Sequence, residues 1–219
     1  MKIALIDDHP IIIDGYKAIL ISKEVEKEEN ILLLSSISEA IFFAEQCYKK
    51  KETIDVFIID YNMPEDTNRK IKNGEDLALV LRSIFPDTKI ILLTSVSTPL
   101  LLFDIINRLQ PEGLWLKGDV NLKIFVQNFN NVITGGIVYS DTVKKSFKNV
   151  LNFSPLLDEY NRKLLLLLND GVKTKNLPNF LHLSLDTINH RKANLKVILG
   201  LESADDFELV KKAKSLGLL

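Results

Sequence analysis

The 219-residue sequence carries one cysteine, Cys47, so an intrachain disulfide is excluded and a reducing compartment is expected. No apolar run approaches the roughly 18 residues that a membrane helix needs. The densest stretch, Leu164 to Leu168, is bounded by Lys163 and Asn169. In the opening MKIALIDD, carboxylates interrupt the apolar run at once, which argues against a secretory leader. Strong charge of either sign is missing too, since the formal net charge is −1. Residues 1–149 hold 18 Lys and Arg against 21 Asp and Glu, and residues 150–219 hold 10 against 8. A mildly positive tail after an acidic body suits nucleic acid, but weakly. The chain shows no internal repeat and no low-complexity tract. Together these absences point to a cytoplasmic protein with no membrane partner.

What is present is alternation. Five short apolar runs, KIALID, ILLLSS from Ile31, VFIID from Val56, KIILLT from Lys89 and GLWLK from Gly113, are separated by helix-length amphipathic stretches. These stretches lie near 11–22, 39–50, 75–85 and 100–109, and a fifth, 122–132, follows the last run. The runs are apolar throughout rather than in alternation, as strands buried on both faces are. The expected fold is α/β, a five-stranded parallel sheet covered by helices on both sides. Gly135 and Gly136 close the last helix, and residues 135–154 read as a linker with a short helix near 142–147. Beyond it, 157–169, 175–181, 184–199 and 206–216 are helical in pattern, with Gly171, Gly200 and Gly217 as stops. The expected organisation is therefore 1–134, a linker 135–154, and a small all-α domain 155–219.

In a parallel sheet, ligands bind where the C-terminal strand ends converge. Asp7 and Asp8 end the first run, Asp60 the third and Thr94 the fourth, and Lys117 lies just past the fifth. Crowded carboxylates repel one another unless a cation neutralises them, and a hard divalent ion such as Mg²⁺ with oxygen ligands is the natural one. A phosphoryl group added at one carboxylate would be held by the same ion, by Lys117 and by Thr94.

These motifs, LIDDHPIIIDGYKAIL, IIDYNMP, ILLTS and GLWLKGD, resemble the receiver domain of two-component response regulators over residues 1–134. The resemblance implies a flavodoxin-like, doubly wound fold in which Asp60 accepts a phosphoryl group from a sensor histidine kinase. It implies that Asp7, Asp8, Asp60 and the Asn62 backbone carbonyl hold Mg²⁺, that Thr94 senses the phosphoryl group, and that Lys117 pairs with it. Two departures stand out. Nine residues, EDTNRKIKN, separate Pro64 from Gly74 where the family has about three. The relay position, usually aromatic, is Leu114, with Trp115 beside it.

The segment GVKTKNLPNFLHLSLDTINHRKANLKVILGL, 171–201, resembles the LuxR/NarL-type helix-turn-helix output domain. Ser184 is a good N-cap for its second helix, on which Ile188, Leu195 and Leu199 form an apolar stripe. Ser184, Asp186, Thr187, Asn189, His190, Arg191, Lys192, Asn194 and Lys196 are the expected DNA-facing set. The family's capping box on the first helix is absent, since Lys173 and Asn176 stand in its places. Pro178 inside that helix predicts a late start, near Asn176, and a shortened helix. Val197 and Ile198 replace two basic residues, which implies a weaker grip on phosphates.

The expected function is a response regulator in which phosphorylation of Asp60 controls DNA binding, with homodimerisation on activation. Three alternatives stay open. One is a receiver whose helical domain binds protein, another is a receiver that works without phosphorylation, and the third is a phosphatase with an aspartyl nucleophile. Against the phosphatase, its nucleophile pair lies two residues apart after the first strand, whereas here Asp7 and Asp8 are adjacent.

Overall fold

The computed structural model describes residues 1–153, 157–201 and 205–219, which form two compact units. The first comprises Met1–Val96 and Ile105–Val143. The second comprises Ser97–Asp104 and Lys144–Leu219. The expected boundary between residues 154 and 155 lies outside the described residues.

The first unit is built on strands β1 (Ile3–Ile6), β2 (Ile31–Leu34), β3 (Val56–Asp60), β4 (Lys89–Thr94) and β5 (Gly113–Leu116). All pair in parallel in the order β2-β1-β3-β4-β5. Every residue of β1 and β3 is buried, which is why these runs do not alternate. Helices α1 (Pro10–Ser22), α2 (Ile37–Lys50), α3 (Gly74–Ile84) and α5 (Leu122–Ile133) lie wholly in this unit, and α4 (Pro99–Leu109) begins in the second. Side chains alternate across the pleat, so one face carries Ile3, Leu5, Ile58, Leu93 and Trp115 into a core with Ile13 and Leu20 of α1 and Phe125 and Phe129 of α5.

Two expectations need correction. The sheet has a sixth strand, β6 (Val138–Tyr139), parallel to β5. The short helix expected near 142–147 in the region read as a linker is longer, an eleven-residue α6 (Asp141–Leu151). This segment is fastened to the end of β5. Ser140 donates its N–H to the Leu114 carbonyl, and its hydroxyl accepts from the Leu116 N–H at 3.1 Å. Asp119 accepts both the N–H and the hydroxyl of Thr142, at 2.9 and 2.8 Å.

The second unit packs α7 (Glu159–Asn169), α8 (Pro178–Leu181), α9 (Leu185–Ile198) and α10 (Asp206–Ser215) around Leu164, Leu177, Ile188, Leu195 and Leu209, all fully buried. Leu100 and Phe103 from the first half of α4 join this core. Asp158 caps α7, and Asp205 and Glu208 form a capping box on α10. The late start expected near Asn176 is met by the α-helix itself but not by the helical path, which opens earlier, in a 3-10 turn capped at Lys173. Pro178 is the first residue of α8, where its missing N–H costs nothing, and only four residues remain. A 3-10 turn, Thr174–Asn176 with Lys173 at its cap position, takes the place of the lost first turn. The bend into α9 sets His182 in the left-handed region at φ 53°.

Candidate functional site

The strand ends bring the acidic residues together as the apolar runs require. Asp7 and Asp60 are buried, 3% and 1% exposed, and Thr94 is fully buried. The Lys117 ammonium lies 3.0 Å from Asp7 Oδ2 and 3.0 Å from Asp60 Oδ1. It donates a hydrogen bond to Asp7 and forms an ion pair with Asp60. The Asn62 backbone N–H also reaches the Asp60 carboxylate. Burial pushes the Asp60 carboxyl above its ordinary value, and Lys117 offsets this only in part. For Lys117, burial works against the charged form, but the Asp60 and Asp7 carboxylates outweigh it and leave its affinity for a proton raised.

Gly74 sets the distance between α3 and the Asp60 backbone. A Cβ there would sit 1.9 Å from the Asp60 carbonyl oxygen, so only glycine permits this approach. Its N–H donates to the Tyr61 carbonyl at 2.9 Å. The nine-residue segment before Gly74, longer than the family's, is ordered. Asp66 and Ile71 exchange backbone hydrogen bonds of 2.9 and 3.1 Å around a tight turn in which Lys70 is left-handed. Asp66 accepts from Ser38 of α2 at 2.6 Å and from Arg69 at 2.9 Å, and Ile71 is buried.

The Thr94 hydroxyl accepts the Val96 N–H at 2.9 Å, which fixes the loop leaving β4. Leu114 and Trp115, read as relay positions, are both fully buried. Trp115 donates through Nε1 to the Val138 carbonyl at 2.9 Å and meets Phe125 edge-on at 5.6 Å.

One member of the cluster escaped the sequence reading. Ligand-capable atoms of Asp7, Asp8, His9 and Asp60 all lie within 4.8 Å of one another. His9 Nδ1 is 3.1 Å from Asp7 Oδ1 and 3.0 Å from Asp8 Oδ1, although the ring is largely exposed. Its place directly after the two aspartates was the available signal. A hard cation fits the set. Among the described residues, Asp8 Oδ1 and Asp60 Oδ1 are buried acceptors with no hydrogen-bond donor, and a divalent ion with oxygen ligands would satisfy both.

The expected DNA-facing residues divide sharply. Ser184 caps α9, accepting the Thr187 N–H at 3.2 Å. Asp186, Thr187, Asn189, His190 and Asn194 are exposed, and Lys196 is half-buried. Arg191 and Lys192 turn inward. Arg191 donates to Asp158 at 2.6 Å and Asn161 at 3.1 Å, and its guanidinium lies 4.9 Å from the Tyr160 ring centre. Lys192 donates to the Thr174 hydroxyl at 2.8 Å and pairs with Asp206. Their charges are spent inside the unit, so the outer face of α9 is less basic than its sequence suggests.

No family model matches the chain. It is similar to the oxygen regulatory protein NreC of Staphylococcus aureus, 24% identical over 100% of this chain and 99% of that protein. Among solved structures it resembles RcsB from Salmonella enterica serovar Typhimurium bound to promoter rprA with the phosphomimetic BeF3-, at TM-score 0.63 and 22% identity, covering 99% of each chain. It also resembles the two-component response regulator RcsB in complex with DNA, at TM-score 0.59 and 23% identity, covering 98% of each. The fold matches that of these RcsB structures, an α/β domain with a parallel sheet followed by an all-α domain.

Proposed function

We propose that this chain is a phosphorylation-controlled transcription factor of the bacterial cytoplasm, with a receiver in residues 1–134 and a DNA-binding domain in 155–219. One observation carries the reading: Asp7, Asp60 and Lys117 meet at the C-terminal edge of the sheet, with Thr94 buried at the end of β4. Asp60 is the acceptor, and a sensor histidine kinase is the donor. Asp7, Asp8, Asp60 and the Asn62 carbonyl would hold Mg²⁺. The ion supplies positive charge against the oxygens of the entering phosphoryl group. Lys117 adds a second positive charge at Asp60. The Thr94 hydroxyl, which accepts the Val96 N–H, turns to donate its own proton to the new oxygens, and that turn loosens the loop into α4. A shift between pre-existing receiver states then promotes a homodimer, so that two α9 helices reach neighbouring half-sites. The similar RcsB structures, solved on DNA, support this output.

The test is phosphoryl uptake from acetyl phosphate with Mg²⁺. Wild-type protein should be labelled and Asp60→Asn should not, whereas equal labelling of the two would refute the assignment. A second reading, an output domain that binds protein, is favoured by a specific observation. Phe180, Leu185 and Val197 are exposed while Arg191 and Lys192 are internally paired.

A further inference from the structure

The outer face of α9 has a chemistry that the sequence alone conceals. Helical spacing puts Asp186, His190, Ala193 and Val197 in one exposed row. Asn189 lies one turn from Ala193 on one flank, and Asn194 lies one turn from His190 on the other. Among the described residues, neither asparagine side chain has a hydrogen-bond partner, so both amides are available. The two groups that would read guanine by paired hydrogen bonds, Arg191 and Lys192, are tied to Asp158, Asn161, Thr174 and Asp206.

Base edges in the major groove sort these groups. A carboxamide matches the N6 donor and N7 acceptor of adenine, and small apolar side chains pack on the thymine methyl, whereas guanine calls for an arginine or lysine fork. Asn189 and Asn194 supply the first kind of contact, Ala193 and Val197 the second, and no exposed arginine or lysine on the row supplies the third. His190 can donate to N7 of either purine and so does not discriminate. The carboxylate of Asp186, in the first turn of α9, can only accept, from the amino group of cytosine or of adenine, and opposes nearby phosphates. Phosphate contacts fall instead to Lys173 and Lys175, exposed on the turn leading into α8, and to Lys196.

Resting on the DNA-binding reading above, we propose that this output domain selects A·T-rich half-sites, with Asn189 and Asn194 as adenine readers and Ala193 and Val197 against thymine methyls. The experiment selects binding sites from random duplexes with the full chain, acetyl phosphate and Mg²⁺, and repeats the selection with Asn189→Ala and Asn194→Ala. Both positions are exposed, and circular dichroism verifies that the variants fold. The expected result is half-sites dominated by A·T pairs, with each variant losing about tenfold of the preference at one position. Half-sites centred on guanine, or variants that leave the preference intact, would overturn the assignment while the DNA-binding reading stands. Failure to retain any duplex, with Asp60 demonstrably phosphorylated, would overturn both and favour the protein-binding output.

Discussion

Arg191→Ala separates two roles for a residue that both family resemblance and charge would assign to DNA. In the structure the side chain closes a clamp between α9 and α7. Its ion pair with Asp158 is partly exposed and contributes about 0.5–1 kcal/mol. The cation–π contact with Tyr160 adds roughly 0.5–1 kcal/mol. Asn161 is buried, and leaving its side-chain oxygen without a donor costs about 1 kcal/mol more. The total of about 2–3 kcal/mol corresponds to a fall of roughly 8–24 °C in the melting temperature of a domain this small. Thermal unfolding followed by far-ultraviolet circular dichroism measures this, and a double-mutant cycle with Asp158→Ala isolates the pair. The clamp argument fails if Arg191→Ala melts within about 2 °C of wild type on that scale while the salt dependence of DNA binding flattens by about one unit. That pattern would mark a phosphate contact.

Three further outcomes are expected. Burial raises the proton affinity of Asp158 and Asp206, but Arg191 for the first, and Lys192 with Thr174 for the second, leave both below the ordinary carboxylate value. Their contribution is therefore complete above about pH 4 and is lost as the pH falls through the depressed folded-state values. Acid titration of the helical signal should show this, with Arg191→Ala flattening the loss. Gly74→Ala drives a methyl into the Asp60 carbonyl, so denaturant titration should show a loss of about 1–3 kcal/mol and phosphoryl uptake should slow. Asp66→Ala cuts the insertion loose from Ser38 and Arg69, and hydrogen exchange should rise across residues 65–73 while the sheet stays protected.

The gathering of Asp7, Asp60, Thr94 and Lys117 was legible because strand periodicity and chemistry agreed. Each apolar run ended in a polar group, and a parallel sheet has one edge where such ends meet. The sixth strand was not legible. Val138 and Tyr139 are two of the three residues between a glycine pair and a serine, too short a run for any period to show. Nor could the fate of Arg191 and Lys192 be read from α9 alone. Their partners, Asp158 and Asp206, lie on either side of the helix-turn-helix segment, and only tertiary packing brings them to the guanidinium and the ammonium. His9 was not legible because a hard cation calls for oxygen ligands, which the two aspartates before it already supply.

The placement of Trp115 has a practical consequence. It is the chain's single tryptophan, sealed against Phe125 and bonded to Val138 two residues before Lys117. Emission excited beyond the absorption of tyrosine therefore reports on the sheet core alone, while the far-ultraviolet signal sums the helices of both units. One sample thus carries a local gauge and a global one, and heating it while watching both will show whether the two units let go together, with coincident curves, or in turn, with a helical step that the emission does not share.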